Sequence, residues 1–376
     1  MGDGMHVVML PWLAFGHMIP FLHLSIALAK SGIRISFLTT QKNIQRLPKI
    51  PPHLTALINL VELPFLSIDG LPEGAEATVD ILHGTNEYLK KAYNLSYPFF
   101  EQFITDESSD WIIHSLQGCS MMAIRTCAEF GGEYLGLLKK LHQIPVIPIR
   151  LLPPRLLEKR ETTDPKWAKT LKWLDEQPNR SVVFVCFGSE CKLSRDQVFE
   201  IAYGLQLSNF PFLWALRRPI WATNDMDTLL LGFESWIASR GVVHMGWVPQ
   251  LEILAHYAIG RSLFHSRWGS IIETVQYGHA LIVLPLANVQ SLDARHLVDK
   301  GLAIQVEINN DGSFHRDAIA RSLRWAVVEE EGESIKRKSM EVRPVFSDQK
   351  LHQSYLNEFI NFLKSSDGKW ETTDPK

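Results

Sequence analysis

Cysteine is scarce in this chain, four in 376 residues, at positions 119, 127, 186 and 191. The four form no CxxC pattern and hold no metal-ligand spacing with histidines. That argues against a zinc ribbon or a disulfide scaffold and fits a reducing compartment. No apolar run reaches the length of a membrane-spanning helix. Neither sign of charge dominates: the formal net charge is −3, which gives no reason to expect nucleic acid or an anionic membrane as partner. The N-terminus, MGDGMHVVMLPW, has no basic segment before its apolar run, so no secretory signal is expected. Gly2 does not make a myristoylation site, because His6 stands where that motif needs Ser or Thr. Sequons at Asn94 and Asn179 carry little weight without a secretory signal. A GxGxxG after a strand is also missing. FGHMIP and FGSECK both lack the glycine set, which weighs against a dinucleotide-dependent enzyme. What remains is ordinary globular composition, 46% hydrophobic and 21% charged, long enough for two domains. The expectation is a soluble cytoplasmic protein.

Short apolar runs alternate with helical patterns. HVVMLPW (6–12), RISFLTT (34–40), LINLVELP (57–64), DWIIHS (110–115) and IPVIPI (144–149) read as strands, and FLHLSIALAKSG (21–32) as an amphipathic helix. The Pro-rich, charged stretch within 150–166 reads as a linker. A second set of strands follows: 181–189, 210–217, 241–249, 262–265, 280–286 and 302–307. Helical patterns lie between them, and helix candidates run from about His315 to Leu363. This alternation predicts an α/β protein with two Rossmann-like doubly wound domains facing a cleft. The domains are placed at 1–149 and 167–345, with a C-terminal helix and tail at 346–376. The hexapeptide ETTDPK occurs at 161–166 and again at 371–376; it carries no functional weight.

The most informative stretch is SLFHSRWGSIIE (262–273), which reads strand, turn, helix. Unpaired backbone N–H groups and the dipole make a helix start a ready anion site. His265 at the strand end can donate an imidazole N–H, and Ser270 can cap the helix or donate to a phosphate oxygen. Glu273, one turn in, can accept from ribose hydroxyls. The alternative is a capped helix with Trp268 in the core, and spacing alone favours it. Context shifts the balance. GWVPQLEILAH (246–256) offers Trp247 to stack on a base and Gln250 as donor and acceptor. PLANVQ (285–290) puts Gln290 at the end of the next strand. Three strand ends would meet on one rim.

The run from Trp247 to Gln290 resembles the donor-binding signature of plant family 1 UDP-glycosyltransferases, which have the two-domain GT-B fold. The resemblance extends to PWLAFGHMIPFLHLSIALAKSG, to KWLDEQPNRSVVFVCFGSE and to the C-terminal helical region. The signature looks most like the branch that adds a sugar to flavonoid or terpenoid glycosides. The resemblance implies a UDP-sugar co-substrate, a small-molecule acceptor and no metal or other cofactor, in a monomer. It places Trp247 and its neighbour Val248 at the uracil and has Gln250 hydrogen-bond the uridine. His265, Ser270 and the backbone of Gly269 would lie at the diphosphate beside Trp268, with Ser189 nearby. Glu273 would hold the ribose and Gln290 the donor sugar.

His17 in FGHMIP stands just past the first strand, at a helix start, where the dipole favours the neutral imidazole. It can take the proton of an acceptor hydroxyl. The resemblance makes it the general base and implies inversion at the sugar. Alone, it would read as a core or capping histidine.

The chain departs from the pattern in three places. Ser115 stands where the family carries an aspartate that orients the histidine and offsets its charge. A block of the N-terminal domain between Gly118 and about Ala128 is missing. Within the signature, Arg267 replaces a glycine beside the diphosphate, and Val289 replaces an acidic residue that holds sugar hydroxyls. Arg267 has two readings: its guanidinium pairs with phosphate, or it occupies a position that needs glycine's backbone freedom. A UDP-dependent glycosyltransferase is the principal expectation. The alternative is a degenerate relative that at most binds UDP or a UDP-sugar.

Overall fold

The computed structural model describes residues 4–82, 85–114, 119–154, 165–188, 190–237 and 240–365. Ser115, Ser189, most of the expected linker, the second ETTDPK and the side chain of Val289 lie outside what is described. The chain divides into two compact units. Unit 1 holds Met1–Leu152 and the segment from Gln349; unit 2 is Pro153–Asp348.

Unit 1 opens with β1 (His6–Leu10), α1 (Phe15–Ala29), β2 (Arg34–Thr39), α2 (Gln41–Arg46) and β3 (Ile58–Glu62). Next come α3 (Asn86–Asn94), α4 (Tyr97–Glu107), β4 (Trp111–His114), β5 (Met122–Ile124), α5 (Ala128–His142) and β6 (Val146–Pro148). The larger sheet is parallel, in the order β3-β2-β1-β4. Its strands β1 and β2 are almost wholly buried because both faces are covered, while β3 and β4 at the edges are partly exposed. Met9, Leu22, Ile35 and Phe37 lie on one face; Val8, Leu10, Leu38 and Leu89 lie on the other. Strands β5 and β6 pair only with each other among the described residues. This domain is incomplete as a doubly wound sheet. Helix α1 starts at Phe15, earlier than the apolar periodicity suggests, and runs through Pro20. The proline removes one helical hydrogen bond near the exposed first turn, where the loss is tolerated.

Unit 2 comprises α6 (Ala168–Asp175), β7 (Val182–Cys186), α7 (Arg195–Ser208), β8 (Phe212–Leu216), α8 (Phe233–Ile237) and β9 (Gly241–Met245). It continues with α9 (Gln250–Ala255), β10 (Ile259–Phe264), α10 (Trp268–Val275), β11 (Ala280–Val283), α11 (Asn288–Asp299), β12 (Ala303–Gln305), α12 (Arg316–Val327) and α13 (Glu330–Ser347). Its six strands are parallel, in the order β12-β11-β10-β7-β8-β9. This is the doubly wound arrangement, and the strand order reverses between β7 and β10. Val183, Phe212, Trp214, Leu263 and Ile282 pack on one face beneath α7 and α12. Arg261, buried within β10, donates to the carbonyls of Ala326 and Val327 at the end of α12 and to that of Arg180. Orphan carbonyls at a helix end are thereby satisfied from inside the sheet.

The last helix, α14 (Gln349–Ser365), packs in unit 1. Leu356, Phe359, Ile360 and Leu363 join its core, and Trp111 Nε1 donates to the Leu363 carbonyl at 3.1 Å. The Tyr355 hydroxyl accepts from the Ala128 N–H at 2.8 Å and donates to Glu129 Oε2 at 2.9 Å.

Candidate active site

In doubly wound sheets, ligands sit beyond the carboxyl ends of the strands, at the point where strand order reverses. In unit 2 that point lies between β7 and β10. The turn after β7 carries Gly188 and Glu190, and the turn after β10 carries His265, Ser266 and Arg267.

His265 is 3% exposed, and burial with the nearby Arg267 guanidinium pushes its pKa down to about 3. It is therefore neutral at physiological pH. Its Nδ1 is buried and has no hydrogen-bond partner within the protein, as expected of a ring nitrogen that a water or a ligand oxygen completes. Gly188 makes room for the ring. It has φ +72°, and a Cβ there would stand 2.9 Å from His265 Cε1. Ser266 takes φ +57°, and its hydroxyl lies 2.7 Å from the His265 carbonyl and 2.8 Å from that of Gln290. The turn is thus tied to the start of α11.

Arg267 is the N-cap of α10 and has ordinary extended backbone, φ −71°, ψ 139°. The glycine-like conformation falls one residue earlier, on Ser266, so backbone freedom is not what Arg267 costs. Its guanidinium is ion-paired with Glu190. Asp293 of α11 also lies in the Arg267 field; burial lifts its carboxyl to about 6 while Arg267 opposes the shift. Arg267 gives α10 no side-chain cap. Trp268, Gly269 and Ser270, all half-buried, follow it as the first turn. The Trp268 ring lies 6.5 Å from that of His296, on α11.

Gln250 opens α9 and Glu273 lies in the second turn of α10. Gln250 Nε2 donates to Glu273 Oε2 at 2.6 Å, and Cys186 Sγ lies 3.5 Å from Gln250 Oε1. Cys186, Gln250, Ser270 and Thr274 line a small hollow there. Trp247 is 72% exposed, and Val248 is buried in the core below it. Gln290 is buried, and its amide oxygen accepts from the Leu286 N–H at 2.8 Å, which stabilises the turn leading into α11.

In unit 1 the order reverses between β1 and β4. His17, in the first turn of α1, is exposed. His114 ends β4 beside Leu10; it is half-buried, and burial lowers its pKa.

The structure therefore gathers Gln250, His265, Ser270 and Glu273 around the β7–β10 crevice, and Gln290 joins the turn through its carbonyl and amide oxygens. Sequence patterns did not single out Gly188, Glu190 or Asp293. The FGSE run after a strand was the available signal for the first two. An acid next to an expected anion site is the odd feature in that run. Among the described residues, no group of three or more His, Cys, Asp or Glu is placed to hold a metal, and no helix is long and apolar enough to cross a membrane.

The model of the UDP-glucoronosyl and UDP-glucosyl transferase family matches residues 160–353. Soyasaponin III rhamnosyltransferase of Glycine max is 33% identical, over 96% of this chain and 95% of its own length. The chain belongs to the plant family 1 UDP-glycosyltransferases. Cyanidin-3-O-glucoside 2-O-glucuronosyltransferase of Bellis perennis is 28% identical over 89% of this glycosyltransferase and 91% of its own length. The alignment with the soybean relative runs over 453 positions, more than the 376 residues of this chain, so part of the relative faces a gap here. A UDP-glucosyltransferase from Polygonum tinctorium superposes with a TM-score of 0.79 at 22% identity, covering 97% of this chain and 100% of that one. The fold is accordingly GT-B.

Proposed function

We propose that this glycosyltransferase moves a sugar from a UDP-sugar to a hydroxyl of an already glycosylated plant metabolite, with inversion. The observation that carries the donor half is the β10–α10 turn. There an orphaned buried histidine nitrogen and an uncapped first turn meet next to the Gln250–Glu273 pair. Such a turn suits a diphosphate, and the amide–carboxylate pair suits a ribose and base. The exposed Trp247 ring supplies a stacking face. Ser189 and Gln290 complete the donor reading, Ser189 at the phosphates and Gln290 at the donor sugar, its amide oxygen held by the Leu286 N–H.

His17 is the base. It takes the acceptor hydroxyl's proton as the oxygen bonds to the anomeric carbon, and the bond to UDP breaks with its electron pair on the departing phosphate. The helix start of unit 2 stabilises that charge. Two relatives, whose names give soyasaponin III and cyanidin-3-O-glucoside as acceptors, support a glycoside acceptor. A second reading, UDP binding without transfer, is favoured by the four-stranded sheet of unit 1 and by Ser115.

The test is UDP release from UDP-glucose or UDP-rhamnose with a panel of flavonoid and terpenoid glycosides, wild type beside Ser115→Asp. Release with glycosides and not with their aglycones supports the proposal. Tight UDP binding with no release from wild type, and release appearing in Ser115→Asp, establishes the second reading instead.

A further inference from the structure

Arg267 and Glu190 come from the two turns that flank the β7–β10 crevice, and they are paired with each other. Their environments differ. The Glu190 side chain is 10% exposed and that of Arg267 is 41% exposed. The acid is the embedded partner, and the guanidinium, on a long flexible stem, is the one free to swing. Asp293 adds a second carboxyl on the α11 side. One cation therefore pairs with one acid and acts on a second, beside a helix start that has no side-chain cap.

A bare carboxylate at Glu190 would repel a diphosphate. The ion pair cancels that repulsion, but it also engages the guanidinium that would attract the phosphates. We propose that Glu190 is a built-in competitor for the nucleoside diphosphate. It holds Arg267 until the phosphates take the guanidinium over, and this exchange sets the affinity of the chain for its donor. The inference rests on the donor site proposed above. It differs from a purely structural strut, in which the pair would only pin the two turns together.

Calorimetric titration with UDP separates the two, with uridine as a probe that lacks phosphates. Glu190→Gln keeps the shape of the side chain and releases Arg267; UDP should bind about tenfold tighter, and more steeply salt-dependent. Arg267→Met removes the cation of the pair and keeps the acid, and UDP should bind about tenfold weaker. Arg267→Lys keeps the charge and should stay within about threefold of wild type. Uridine should bind all four proteins alike. If Glu190→Gln binds UDP as wild type does or more weakly, the competitor role is wrong while the donor site stands. If uridine follows UDP across the series, the pair is a strut and the proposal falls. If neither wild type nor Glu190→Gln binds UDP, the donor site itself is overturned, and this inference with it. Thermal unfolding of each variant checks that the turns remain folded.

Discussion

Two corners of this molecule are built alike and behave differently. In each unit a strand on one side of the order reversal runs into a turn and then a helix: β1 into α1, and β10 into α10. Both helices lack a capping side chain at their start, and both corners carry a histidine. His265 is sealed beneath Gly188, neutral, with a ring nitrogen unsatisfied by protein. His17 is exposed in the first turn of its helix. The same backbone device thus produces two kinds of histidine. A sealed, neutral imidazole is a fixed hydrogen-bonding group, suited to holding an anion. An exposed one can exchange protons with a substrate. The difference comes from what lies over the corner, a close glycine turn in one case and solvent in the other.

The sharpest way to break this comparison is His17→Ala. Loss of a general base should cut turnover by about 10²–10⁴-fold, while calorimetry finds UDP affinity unchanged. If UDP release survives the substitution, His17 is not the base.

The next effect is on stability. His265 and His279 are both held near a pKa of about 3, by burial with nearby arginines, against 6.5 when exposed. Between those values the unfolded chain binds protons that the native state refuses, so stability falls as pH drops through that window. Each residue should contribute about 2 kcal/mol of loss between pH 7 and pH 5. Urea unfolding at the two pH values measures it, and His265→Gln should remove its share. An unchanged pH dependence in that variant would mean His265 is not sealed.

Gly188→Ala probes the seal from the other side. A left-handed backbone and a Cβ 2.9 Å from the His265 ring should cost about 1–3 kcal/mol in thermal unfolding and displace the imidazole. The smallest expected effect is at the rim. Trp247→Ala should leave stability untouched, because the ring is 72% exposed. Loss of stacking on a base, about 1–3 kcal/mol, should weaken UDP by tenfold or somewhat more. A stability change without an affinity change would make Trp247 a packing residue.

Much of the fold was legible because buried parallel strands announce themselves as apolar runs between helical patterns. Each strand read from the sequence appears, most of them shorter at the ends, while β10 begins three residues earlier than read, at Ile259. Strand β5 and helices α3–α5 were not read, since MAI is too short to show a period and their apolar stripes are interrupted by polar residues. The donor corner was legible because its residues lie within one continuous stretch. Gly188, Glu190 and Asp293 were not, because they reach that corner only through the sheet order, the first two from the turn after β7 and Asp293 from α11. That the Gln290 amide oxygen accepts from the Leu286 N–H was not legible either, because a local hydrogen bond of that kind leaves no trace in spacing.

What the sequence determined by itself is the alternation of elements, the family and the identity of the two histidines. These depend on side-chain type and on neighbours along the chain. Tertiary structure decided which histidine is sealed, that Ser266 and not Arg267 carries the left-handed turn, and that Arg267 is paired with Glu190. Those are matters of burial and long-range proximity. They are set only when β7 and β10, more than seventy residues apart, come to lie side by side.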